Sequence, residues 1–114
     1  MTKDYKQITG DINQYIGELR SLAPETMKGF SAMAKAATDD GVLDKKTKEL
    51  IALAIGVAAR CDGCIGFHAK AARKLGATRE EVAETLGMTI YLGGGPALMY
   101  AADALRAYDQ FGEG

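Results

Sequence analysis

Residues 50–59, LIALAIGVAA, form an apolar run with no polar member. The run is about half as long as a bilayer span requires, so it reads as a buried helix. A helix that is apolar all round must be surrounded by other elements. The chain is therefore expected to build a helical layer around residues 45–60, and the other segments are read for helices that can do this.

They supply them. Tyr5, Ile8, Ile12, Ile16 and Leu19 recur at helical spacing with charged residues between them. Pro24 closes that run or opens the next, in which Met27, Phe30, Met33 and Ala37 share one face. Gly41 breaks the loop TDDGVLDKKT, and Asp44 is placed to cap the apolar helix. Asp62 and Gly63 interrupt that helix, with Asp62 the expected N-cap of a fourth helix that ends near Leu75 and Gly76. Thr78 and Glu81 form a capping box for a fifth helix. LGGGP at 92–96 breaks it, and Pro96 suits the first turn of a last helix lined by Leu98, Ala101, Leu105 and Tyr108. The tail GEG is expected to fray. No segment alternates like a strand. The fold class is all-α: a single-domain helical bundle of about six helices over residues 1–114.

The formal charge is −1 and no basic block is present, which speaks against nucleic acid or an anionic membrane as partner. The opening residues MTKDYKQITG lack the apolar core of a signal peptide, so a cytoplasmic location is expected. Six short helices make a small core, so oligomerisation would help the fold. GGGP lacks both the Gly-Lys-Ser/Thr ending and the preceding strand of a phosphate loop. Met88, Tyr91, Met99 and Tyr100 are candidates for a substrate pocket, or for core and subunit contacts.

Both cysteines and the only histidine fall between residues 61 and 68. Cys64 and His68 are four apart and share a helix face. A Cys-x-x-Cys at a helix start can close a disulfide. The free N–H groups there favour the thiolate, and a histidine one turn further in can take the thiol proton. Zinc is a competing reading, but three ligands do not close a structural site, and a carboxylate or a second subunit would have to complete the shell. Inert packing thiols are the other alternative.

CDGCIGFHAKAARKLGATREEVAETL resembles the Cys-x-x-Cys-x-x-x-His core of the alkylhydroperoxidase D-like, or carboxymuconolactone decarboxylase-like, proteins. The likeness extends over about residues 21–108 and includes a glutamate twelve residues before the first cysteine, here Glu49. It implies a thiol peroxidase that reduces organic hydroperoxides or hydrogen peroxide through a Cys61–Cys64 dithiol/disulfide cycle. Cys64 would attack, Cys61 would resolve, His68 would act as base and Glu49 would orient His68. An external dithiol or a disulfide reductase would return the electrons. No bound cofactor and no metal are implied, since sulfur supplies both electrons. The resemblance also implies homo-trimers or homo-hexamers.

Spacing alone does not bring Glu49 to His68. Glu49 lies ~18 Å along a helix from Cys61, and His68 only about 10 Å beyond it. One position departs from the family pattern. Many peroxidatic members carry a second histidine where this chain has Gly63. That departure keeps open a dithiol–disulfide carrier or redox sensor with weak peroxidase activity. A non-redox lactone decarboxylase or scaffold is the remaining alternative, although decarboxylating members generally lack the cysteine pair.

Overall fold

A computed structural model of the chain describes residues 2–113; Met1 and Gly114 lie outside the described residues. Six helices follow in order: α1 (Tyr5–Leu22), α2 (Pro24–Thr38), α3 (Lys45–Ala58), α4 (Asp62–Lys74), α5 (Arg79–Gly93) and α6 (Gly95–Phe111). Among the described residues there is no strand, and no helix is long and apolar enough to cross a membrane.

Local chemistry sets the boundaries. Asp4 caps α1 by accepting from the N–H groups of Lys6 and Gln7. Pro24 takes the first position of α2, where its missing N–H costs nothing. Asp44 caps α3 through the Thr47 N–H. Thr78 and Glu81 complete the expected capping box of α5. Gly76, at φ 89°, follows the Leu75 C-cap of α4, and Gly94, at φ 70°, separates α5 from α6. Both sit in the left-handed region that glycine enters without a Cβ clash. At the tail, Gly112 caps α6 and the Glu113 carbonyl accepts from Lys6 Nζ, so the two residues before Gly114 are tied down.

The core lies between α3, α4, α5 and α6, with the start of α1 laid across it. Leu53, Val57, Ile65, Val82 and Tyr5 are fully buried, each contributing roughly 1.5–3 kcal/mol of apolar transfer. Ala69 and Ala72 of α4 and Ala101, Ala104 and Ala107 of α6 are also buried, and their small side chains let these helices approach closely. Tyr108 fastens the far end by donating from its hydroxyl to the Ala77 carbonyl at 2.7 Å.

Two apolar faces are not covered. The third helix does not meet partners all round, because Ile51 and Ile55 remain 44% and 62% exposed. The face of α2 formed by Met27, Phe30 and Met33 buries none of its residues. The four other helices, of similar length, do not enclose both α3 and α2, so part of each apolar surface stays open.

Candidate active site

The turn between α3 and α4 carries the couple. Ala58 ends α3, and Arg60 takes the left-handed conformation at φ 57°, which is uncommon for a residue with a Cβ. This reverses the chain within three residues and places Cys61 at the N-cap of α4. The N-cap is thus Cys61 rather than the expected Asp62. Sulfur replaces oxygen as acceptor, with the Cys64 N–H donating to Cys61 Sγ at 3.2 Å. Asp62 becomes the first helical residue, where the helix dipole favours its carboxylate. The two cysteines are joined as a disulfide with their Cα atoms 5.2 Å apart. Both are partly exposed.

The partner side is built from α3. Gly56 packs directly beneath Cys64: a Cβ added to Gly56 would lie 3.0 Å from the Cys64 Cβ and 3.4 Å from the Ile65 nitrogen. That contact fixes the register of the two helices. From Gly56 back to Glu49 is ~10.5 Å of helix, and from Cys64 on to His68 is ~6 Å. Side-chain length spans the difference. His68 Nδ1 lies 2.6 Å from Glu49 Oε2. The offset that spacing could not supply comes from pairing Gly56, not Cys61, with Cys64. Gly56 is a site residue that sequence reasoning missed. Its only signal was a glycine within an otherwise branched or alanine-rich apolar run.

Glu49 is buried, not the solvated first-turn carboxylate that its position in the helix would otherwise suggest, while about a third of the His68 side chain is exposed. A carboxylate only accepts, so Nδ1 carries the proton in this contact and Nε2 is the ring nitrogen left as an acceptor. The structure joins Cys61 to Cys64 and Glu49 to His68, and helical spacing puts Cys64 and His68 on one face of α4.

The opposite flank of α4 is closed by α1. A Cβ on Gly63 would stand 2.8 Å from Ile12 Cδ1, and one on Gly66 would stand 2.5 Å from Thr9 Cγ2. Position 63, where the resemblance would put a second histidine, is thus occupied by a helix contact. The pocket candidates separate. Met88, Tyr91 and Met99 are exposed. Met88 lines an apolar groove with Ala54, Ile55, Ala58 and Leu92, on the side of α3 turned away from Gly56. Tyr100 packs under the Lys3 ammonium, 4.8 Å from the ring centroid. Among the described residues no three His, Cys, Asp or Glu side chains converge as a cation site.

Fold and site together define a small all-α protein with a redox-capable cysteine couple at a helix start. Comparison with known proteins places it more closely. The profile of the carboxymuconolactone decarboxylase family matches residues 24–107, and the chain belongs to that family. It is similar to a family member from Legionella pneumophila, with 58% identity, 96% of this chain and 97% of that one covered, and a TM-score of 0.94. A family member from Thermotoga maritima, suspected of involvement in an antioxidative response, shares 28% identity over 90% of this chain and 87% of its own, with a TM-score of 0.80. An uncharacterized protein of Cupriavidus necator is 45% identical over 109 residues, 96% of both chains.

Proposed function

We propose that the protein is a thiol-dependent peroxidase acting on organic hydroperoxides or hydrogen peroxide. The observation that carries this reading is the 2.6 Å contact between Glu49 and His68, one helical turn from a cysteine couple already within bonding distance. In the reduced protein His68 Nε2 takes the Cys64 proton, and Glu49 stabilises the imidazolium. The thiolate attacks the outer peroxide oxygen. The O–O bond breaks, the alkoxide takes the proton back through His68 and leaves as alcohol, and Cys64 becomes a sulfenic acid. Cys61 then attacks that sulfur, forming the disulfide and releasing water. An external dithiol, or a reductase that carries one, reopens the disulfide by exchange and is itself oxidised. One hydroperoxide is reduced to alcohol and water for each dithiol oxidised. The uncovered stripes on α2 and α3 support assembly with further copies of the same chain.

A second reading is favoured by the closed flank at Gly63. Without a second histidine there, the couple would serve as a dithiol–disulfide carrier with weak peroxide reactivity.

One equivalent of cumene hydroperoxide added to reduced protein separates these readings. A peroxidase loses two thiols per chain and releases one equivalent of the alcohol. A carrier leaves peroxide unreacted but exchanges rapidly with a dithiol such as dihydrolipoamide. Thiols that resist alkylation until the protein is unfolded contradict both.

A further inference from the structure

Asp62 lies between the two cysteines, and an unpaired carboxylate there would oppose a thiolate at either neighbour. It is not unpaired. Lys3 Nζ stands 2.9 Å from Asp62 Oδ1, and the Tyr5 hydroxyl donates to the same oxygen at 3.3 Å. Lys3 also bonds Asp103 Oδ2 at 2.9 Å, and Arg106 Nε lies 3.9 Å from Asp103 Oδ1. Two carboxylates and two cations make a neutral group against the start of α4.

Lys3 is fixed in place rather than trailing from the surface. Gln110 Nε2 donates to the Lys3 carbonyl at 2.8 Å, and the Tyr5 N–H donates to Gln110 Oε1 at 2.8 Å. Tyr5 itself is fully buried. Its burial, followed by the nearby Asp103, holds its hydroxyl protonated well above the ordinary tyrosine range, so it remains a donor. Hydrogen bonds to Asp103 and then Asp62 hold Lys3 charged above the ordinary lysine range. Both residues precede the stretch matched by the family profile, which begins at residue 24.

We infer that Lys3 is a positioning residue that pins and neutralises Asp62, and thereby sets the acidity and redox balance of the Cys61–Cys64 couple. This rests on the dithiol reading above. Other charged or titratable groups near the couple or this cluster include Glu49 from α3, His68 within α4, Asp103, Arg106 and Tyr100 from α6, Tyr5 from α1, and Arg60 in the turn. Lys3 is the cation that bonds both Asp62 and Asp103 of α6, with Tyr5 as a neutral donor beside it.

The test is the pH dependence of iodoacetamide alkylation of reduced protein, resolved for each cysteine by mass spectrometry. Lys3→Met leaves the Asp62 charge uncompensated and should slow alkylation at neutral pH about two- to fivefold, moving the profile to higher pH. Asp62→Asn leaves the Lys3 charge in excess and should move it to lower pH. The double variant restores local neutrality and should return close to wild type, as should Lys3→Arg. The disulfide should become harder to reduce in Lys3→Met and easier in Asp62→Asn, read by equilibration with glutathione. A merely structural bridge would make both single variants move the profile in the same direction, and that result, or no movement, overturns the inference. The alkylation profile reads thiol acidity whether or not peroxide is reduced, so failure of the peroxidase reading shows separately, as thiols that persist in cumene hydroperoxide.

Discussion

On its α3 side, α4 meets Gly56 and a buried carboxylate, which its own histidine engages. On its α1 side it offers two glycines of its own and receives Ile12, Thr9 and Tyr5. Close approach is achieved on both flanks by removing a Cβ, but to different ends. Toward α3 the missing side chain belongs to the neighbour, which leaves room for Cys64 and sets the register that joins Glu49 to His68. Toward α1 the missing side chains belong to α4, and Ile12, Thr9 and Tyr5 of α1 close the gap. In the proposed mechanism, a helix with two such flanks would direct proton traffic to one side. This also gives Gly63 a physical reason: a histidine there would have to displace Ile12.

The contrast can be broken first at the couple. Cys64→Ser should abolish turnover of cumene hydroperoxide, while Cys61→Ser should allow one oxidation to a sulfenic acid, trapped by dimedone, and then stall. If Cys61→Ser loses the first step and Cys64→Ser keeps it, the N-cap sulfur is the nucleophile and the roles are reversed. Next in size is His68→Gln, expected to slow the first oxidation at neutral pH on the order of a hundredfold, as loss of a general base does. Glu49→Gln keeps the imidazole and loses the charge behind it, and should cost about tenfold in the same measurement. The sealed flank should behave otherwise. Gly66→Ala forces a Cβ to 2.5 Å from Thr9 Cγ2 and should cost roughly 1–3 kcal/mol of stability in urea unfolding, with the pH dependence of thiol oxidation unchanged. A Gly66→Ala variant that alters that profile would mean that α1 takes part in the proton path.

Much of this was legible in the sequence. Helix boundaries followed from Asp44, Thr78, Pro24 and Pro96, because capping and proline chemistry act within a few residues. The pairing of Cys64 with His68 followed from helical periodicity. The contact between Glu49 and His68 was implied by resemblance and not by spacing, because it depends on which residue of α3 faces Cys64. That register is fixed by Gly56 and by the left-handed Arg60, two features of tertiary packing rather than local pattern. Asp62 was expected as a cap from residue preference. The turn moved the cap one position earlier, and Asp62 was drawn to Lys3, which lies 59 positions away. The apolar faces of α2 and α3 were read correctly as apolar, but α3 was expected to be enclosed. Periodicity identifies a face that seeks burial without saying whether one chain has enough surface to bury it.

The central claim is that His68, oriented by Glu49, supplies the proton transfer that activates Cys64. It is tested most directly by the ratio of wild-type to His68→Gln rates for the first thiol oxidation by cumene hydroperoxide, measured across pH. The ratio should be large near neutrality and fall toward one as the solution becomes alkaline enough to ionise the thiol unaided. A ratio that stays constant across the whole range would contradict it.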